Sequence, residues 1–450
     1  MRHLVHFKAS RVNCLIVAFF ALAACTKEQK TPVGELSQTK AESSKVATAW
    51  MRLGAEITPE IPGYTSPVAA RTFAYLGIGL YEAVAQGIEG QPSLQGRLEG
   101  LAHQSLPAVY EGGPLNWSVV VNECMHYLFG KFYKNAPPAT SQQIDQLYHT
   151  FRDELSLRSK AEVVEKSVLF GSMMGKAIYN YSVSDGQDEA FLYNYPREYS
   201  IPQGLGLWSP TSNQIRRPLQ PYWGDVRTFL SVADATEMPT PPAFSTEATS
   251  PFYASALDVR NRVRNLDESI ETVVKFWNDD QDHALTMAGH MITILSDLLE
   301  SNSADLEFAA QAYAKMGICL HDATVASWKV KYRYNILRPE TYIREHIDAN
   351  FLPLIDPQAT PEYSSSSSAV GSACAEVFSQ LFGYQYAFTD RTHEFRKDID
   401  GSPRSYQSFQ QMSEEISTAC LYGGIHYRFS LEAGKLQGST IGSKVARLKI

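Results

Sequence analysis

Three separated stretches in the last third of the chain carry residues able to hold an anion. The first is Lys331-Tyr332-Arg333-Tyr334-Asn335-Ile336-Leu337-Arg338-Pro339. Lys331 and Arg338 are seven positions apart, nearly two turns of a helix. A continuous helix would set both cations on one face, about 10 Å apart along its axis. Long side chains let such a pair converge on one ligand, and a helix C-terminus favours positive charge. A capped, solvated basic face fits the same spacing. The second stretch is Pro361-Glu362-Tyr363 followed by Ser364 to Ser368 and then Ala369-Val370. A serine run ahead of a helical pattern reads as a helix entrance. Unpaired backbone N–H groups there make an anion nest, with the hydroxyls of Ser365 and Ser366 as added donors. A flexible loop is the alternative, and the tight junction to Val370 and Cys374 argues against it. The third stretch is Tyr422-Gly423-Gly424-Ile425-His426-Tyr427-Arg428-Phe429. Its glycines end one helix, and His426 stands at the start of the next. A histidine held this tightly is either structural or positioned as a ligand or nucleophile.

Other clusters read more plainly. Asp279, Asp280, Asp282 and His283 lack the spacing of a calcium loop and are expected as a solvated acidic helix end, with a bound cation as the alternative. His290 is expected as a satisfied structural histidine, with a groove-lining role as the alternative. His393 and Glu394 are expected to hydrogen-bond each other in a loop, with metal ligation as the alternative.

Helices must position these stretches. Ser66-Pro67 offers a cap and a first-turn proline for a helix running to Val84. Further helices are expected at 103–109, 117–133, 139–158, 161–181, 266–279 and 287–300. The longest runs from near Ser303 to Leu337 and stops before Pro339. Three more are expected at 367–382, 405–422 and 426–445. Gly434, Gly438 and Gly442 recur every four residues, a stripe suited to close helix packing. Residues 185–225 are rich in proline and glycine and read as a long ordered loop system. Its Trp208 and Trp223 are packing anchors, or else face a substrate. No β-rich segment is long enough to build a sheet. The fold class is therefore all-α: a helical bundle architecture with long ordered loops. An N-terminal helical region is assigned to 46–260 and a C-terminal bundle carrying the anion site to 261–450.

The N-terminus reads as an address. Arg2, Lys8 and Arg11 precede an apolar run that closes on Leu22-Ala23-Ala24-Cys25. This pattern predicts a lipoprotein signal peptide over 1–24, lipidation of Cys25 and a polar flexible tether over 25–45. The expected location is the cell envelope, outside the cytoplasm, with the lipid inserted in a membrane. A net charge of -8 argues against a nucleic-acid partner. Cys124, Cys319, Cys374 and Cys420 show no Cys-x-x-Cys spacing. Buried thiols and disulfides both remain open.

In order and wording, the three stretches resemble the vanadium-dependent haloperoxidase and type 2 phosphatidic acid phosphatase superfamily, and its bacterial haloperoxidase-like branch in particular. The segments 328–344, 361–373, 386–394 and 422–438 carry most of the resemblance. The segments 50–84, 208–224 and 276–290 carry it more weakly. The resemblance implies a haloperoxidase-like fold, with Lys331 and Arg338 on the equatorial oxygens of vanadate or a transferring phosphoryl group. It implies Ser365 as a hydrogen-bond donor and His426 as the apical histidine, ligating vanadate in a peroxidase or acting as nucleophile in a phosphatase.

Departures from that pattern carry equal weight. The family's general acid–base histidine is replaced by Ser367, its cage arginine by Cys420 and the aspartate after the apical histidine by Ser430. Glu432 offers His426 only a poorly angled substitute carboxylate. An acid–base group is commonly worth about 100- to 10,000-fold in rate, and a cage donor about 100- to 1,000-fold. The expectation is a lipid-anchored oxyanion-binding protein, for vanadate or phosphate, with weak or lost catalysis. The alternatives are an active phosphatase or haloperoxidase using His426, and a noncatalytic ligand-binding or surface interaction protein.

Overall fold

The computed structural model describes residues 39–90, 93–109, 113–211, 217–279 and 285–450. The signal peptide, Cys25 and most of the tether lie outside the described residues, as do Asp280, Asp282 and His283. Among the described residues the chain forms thirteen α-helices and one short hairpin. These are α1 (Lys45–Ile57), α2 (Ser66–Val84), α3 (Trp117–Phe132), α4 (Pro138–Ser156) and α5 (Ala161–Val183). After the long loop system come α6 (Pro251–Arg264), α7 (Glu268–Phe276), α8 (Thr286–Ser301) and α9 (Leu306–Tyr334). Then follow α10 (Pro339–His346), α11 (Ser366–Phe382), β1 (Phe388–Asp390), β2 (Arg404–Tyr406), α12 (Phe409–Tyr422) and α13 (Arg428–Ala446). The two strands pair antiparallel, with Thr389 opposite Ser405. No helix among the described residues is long and apolar enough to cross a membrane.

Four expectations are corrected. The helix expected at 103–109 is a single 3-10 turn, Leu101–His103, because Pro107 cannot donate and drives the residue before it out of the helical region. The boundary assigned between 260 and 261 falls inside α6, which Ser250 caps by accepting from the Tyr253 N–H, with Pro251 in the first turn. Lys331 and Arg338 do not share one helix. α9 ends at Tyr334, Asn335 turns left-handed (φ 49°), and Pro339 opens α10 with Arg338 at its N-cap. The tether ends earlier than expected. Thr39 is buried, and the Glu42 carboxylate caps α3 by accepting from the Trp117 and Ser118 N–H groups.

α9 is the axis of the molecule. On one side it meets α2 so closely that a Cβ on Gly77 would lie 2.4 Å from the Tyr313 carbonyl oxygen, and one on Gly317 2.6 Å from that of Phe73. Beyond α9, α13 lies on α11 through the predicted glycine stripe. A Cβ on Gly434, Gly438 or Gly442 would fall within 2.6 Å of the carbonyl oxygens of Ser365, Ala369 and Ala373. Only hydrogen fits at these crossings. One apolar core runs continuously from Val46 to Ile450 and so spans the expected boundary at 260. A smaller cluster, including Phe252, Val330, Tyr342, Tyr363 and Tyr427, walls the region where the stretches 331–339, 361–370 and 422–429 meet. Trp208 and Trp223 are almost fully buried, and the Trp208 N–H donates to the Asn335 carbonyl at 2.8 Å, so they anchor the long loop. Cys124, Cys319, Cys374 and Cys420 are buried thiols.

Candidate functional site

Lys331 projects from the last turn of α9 and is fully buried. Its ammonium donates to the carbonyls of Pro361 and Glu362, both at 3.2 Å. Arg338 enters from the N-cap of α10, 2% exposed. Its Nε donates to the Thr360 carbonyl at 3.0 Å, and one terminal nitrogen donates to the Ile425 carbonyl at 2.9 Å and to His426 Nε2 at 3.3 Å. The other terminal nitrogen donates to Thr360 Oγ1 at 2.9 Å and to the Gln358 carbonyl at 3.4 Å. The chain reversal at Asn335, not helical periodicity, brings the two cations to one place.

His426 lies in the α12–α13 turn, where Gly424 takes φ 81° and fixes the approach. Its Nδ1 is 2.8 Å from Glu362 Oε1, which also accepts from the Tyr427 N–H at 2.9 Å. A guanidinium has only donors, so Nε2 is the acceptor and the ring proton sits on Nδ1, facing Glu362. Burial holds the imidazole well below its ordinary pKa, and the charges of Arg338 and Lys331 add to the effect. Burial pushes the Glu362 carboxyl up to about 7, against the opposing pull of Arg338 and Lys331. The carboxylate that orients His426 is thus Glu362. The available signal was its position directly ahead of the serine run. Glu432 instead pairs with Lys435.

Ser365 is the N-cap of α11, its hydroxyl accepting from the Ser368 N–H at 3.3 Å. Ser366 and Ser367 begin the helix and line a cavity of about 20 Å³ together with Ser66, Met287, Trp328 and Gln358. Gln358 also accepts from Arg338, so this cavity adjoins the cationic site. Its volume suits a water molecule and little more. Ser430 donates to the Glu362 carbonyl at 3.2 Å and is fully buried. Cys420 joins an apolar cluster with Leu421, Tyr427 and Leu431, so α12 brings no fixed charge at this position.

Lys331, Arg338 and His426 therefore converge, an arrangement compatible with a small oxyanion. The donor set suits the apex of vanadate, because His426 Nε2 carries an available lone pair. It does not suit the equatorial oxygens. All five N–H donors of Arg338 already have acceptors in the chain, and α12 brings the thiol of Cys420 and not a further cation.

A second buried histidine cluster lies between α7, α8 and the hairpin. His290 on α8 sets Nδ1 2.8 Å from Asp279 Oδ2 and Nε2 2.8 Å from Asp390 Oδ2. His393 Nε2 stands 3.4 Å from Asp279 Oδ1. One ligand atom from each of Asp279, His290 and His393 lies within 4.8 Å of the others, a set able to hold a metal ion. Two expectations are corrected here. Asp279 is 2% exposed and not solvated, because tertiary packing closes over it. Glu394 pairs with Arg391, not with His393.

Comparisons agree with this architecture. A family model described as the VCPO second helical-bundle domain matches residues 311–449. The fold is similar to that of the first bacterial vanadium-dependent iodoperoxidase, with 26% identity, 90% of this chain and 96% of that chain covered, and a TM-score of 0.79. It is also similar to apo-type and holo-type bacterial vanadium-dependent chloroperoxidase. Identities are 13% and 15%, TM-scores 0.62 and 0.61. Those likenesses cover 85% and 87% of this chain, and 93% and 91% of the others. No curated protein matches the chain. The chain is structurally homologous to the vanadium haloperoxidases and has their predominantly α-helical, haloperoxidase-like bundle fold.

Proposed function

We propose that this protein is a haloperoxidase-like lipoprotein of the cell envelope that binds a small oxyanion, phosphate or vanadate, and turns over weakly or not at all. One observation carries the reading: a neutral His426 with its proton on Nδ1 toward Glu362 and its Nε2 beside Arg338. A carboxylate behind an imidazole sets the tautomer and raises the basicity of the other nitrogen, as a ligating or nucleophilic histidine requires. Bound vanadate supplies peroxide activation in the relatives' chemistry, and here His426, Lys331 and Arg338 would hold it. The incoming oxygens would have to take Arg338 donors from the carbonyls of 358–360 and Ile425, which keeps affinity low. Ser365 and Ser366 add hydroxyl and N–H donors at the start of α11.

Proton delivery is the missing function. Ser367 cannot act as a general acid near neutral pH, and Cys420 cannot replace a fork of fixed donors. Any phosphatase activity should strongly favour p-nitrophenyl phosphate over an alkyl phosphate, because a good leaving group departs without protonation. Equal rates on both substrates would defeat the reading. Oxyanion binding is tested by thermal unfolding with phosphate and with vanadate, and Arg338→Ala should abolish the shift. The paired change Ser367→His and Cys420→Arg should raise turnover more than either alone. High wild-type activity lost in His426→Ala would instead identify an active enzyme.

Lipidation of Cys25 and assignment of the site to a 261–450 bundle belong to the same reading. Intact-mass measurement of membrane-extracted protein should show cleavage before Cys25 and an added lipid. An unmodified mature chain would remove the anchor from the proposal.

A further inference from the structure

We propose that Asp279, His290 and His393 bind one divalent transition-metal ion, Zn²⁺ by preference, with Asp390 holding His290 from behind. Two imidazoles and a carboxylate are an established ligand set for such ions. Geometry supplies the first argument. His290 presents Nδ1 toward Asp279, and the Nε2 side meets Asp390 at 2.8 Å. A ligating histidine whose other N–H is held by a carboxylate is the usual outer arrangement of a metal centre. Asp390 is itself fixed, because its second oxygen accepts from the Thr392 N–H at 2.8 Å.

Unpartnered atoms supply the second argument. Among the described residues, Asp279 Oδ1 and both ring nitrogens of His393 are buried without a hydrogen-bond partner. Asp279 and His393 are 2% and 1% exposed, so water does not compensate them. Such orphaned atoms cost free energy unless an occupant satisfies them. Oδ1 and His393 Nε2 face each other at 3.4 Å, beside the His290–Asp279 contact. A cation there would satisfy both.

Charge is compatible with an ion: two aspartates bring two negative charges, which either two protonated imidazoles or one divalent cation with neutral imidazoles would balance. A divalent ion that displaces the Nδ1 proton leaves the cluster neutral, with Nε2–H still donating to Asp390. Nearby Arg404 and Glu415 pair with each other and leave this balance unchanged. The same two carboxylates repel an oxyanion, so vanadate is not the occupant. The site is walled by Trp277, stacked on His290 at 4.6 Å, and by Phe276, edge-on to His393 at 4.9 Å. All three ligands are buried, so the ion's work is structural: it ties the hairpin loop to the α7–α8 junction, with a water or the second oxygen of Asp279 completing its coordination.

The test uses the whole mature protein, stripped with a chelator and reloaded with ZnCl₂. Elemental analysis should find one zinc per chain. At free zinc about 100 times the dissociation constant, the folded-to-unfolded ratio should rise about 100-fold. His393→Asn should lose both effects. Should that variant not fold, ring-nitrogen NMR of the wild type gives an independent readout. Zinc should remove one of the two His290 N–H signals of the stripped form and leave the one facing Asp390. Failure of Zn²⁺, Mn²⁺ and Co²⁺ alike to bind or stabilise the wild type would overturn the proposal. So would zinc binding unchanged in His393→Asn, or both His290 N–H protons persisting after zinc is added.

Discussion

His426 and His290 are both buried imidazoles, and their surroundings have opposite sign. His426 faces Arg338 on one nitrogen and a single carboxylate, Glu362, on the other, with Lys331 close behind. Its proton affinity is depressed, and it stays neutral. His290 has a carboxylate on each nitrogen, and they push its pKa up to about 10 despite burial. One residue type is thereby held neutral beside two cations in the first place and held protonated between two carboxylates in the second. The difference also separates the two halves of the resemblance to haloperoxidases. The His426 side sets a histidine beside two cations, with Ser367 where the resemblance implies a proton-delivering histidine.

The largest effect should come from removing the countercharge on the anion side. Glu362→Ala leaves Lys331 and Arg338 buried without it, and should cost about 3–5 kcal/mol in urea unfolding. Glu362→Gln should cost less, since its amide oxygen still accepts from His426 Nδ1. A loss under about 1 kcal/mol for Glu362→Ala would show that the carboxylate does not balance the cations.

On the acidic side, Asp390→Asn removes one carboxylate from His290. A charged hydrogen bond is worth about 1.5–3 kcal/mol, and that loss should appear in the same unfolding experiment. Zinc affinity should fall by about 10- to 100-fold, as for other partners behind a ligating histidine. A stability change with unaltered zinc response would separate the hydrogen bond from the metal centre.

Arg338→Lys tests the fork itself. Lysine retains the charge and loses the planar donors, so phosphate should bind roughly tenfold more weakly, about 1.4 kcal/mol by calorimetry. Unchanged binding would reduce Arg338 to a point charge.

The smallest effect is a pH slope. The unfolded chain protonates His426 below about 6.5, and the folded chain does not. The unfolded state then binds more protons, so stability should fall as pH drops below that value. Replacing His426 with Gln should flatten this part of the curve. An identical slope in the variant would assign it to other groups.

Much of the helical frame was legible because it rests on local rules. Ser66-Pro67 opened α2, and the four-residue glycine spacing foretold the α11–α13 crossing, where backbone oxygens would stand within 2.6 Å of any added Cβ. The failures came where one residue can serve two elements. Pro339 reads as the stop of α9, but that helix already ends at Tyr334 before the left-handed Asn335, and Pro339 instead starts α10. Residues 103–109 are apolar enough for a helix, and Pro107 prevents it.

The sequence by itself determined the residue types of the anion site: Lys331, Arg338, the serine-rich start of α11, His426 and the losses at Ser367 and Cys420. Their order and spacing follow local chemistry and carry the resemblance. Tertiary structure alone decided how they meet. Asn335 reverses the chain between two cations that periodicity had set on one helix, and Glu362 reaches His426 across 64 residues. The Asp279, His290, His393 and Asp390 cluster depends on the same thing, since its members come from a helix end, a helix interior and a hairpin. Burial, which removes water as a competitor and makes each charge answer to its neighbours, exists only once those elements have packed.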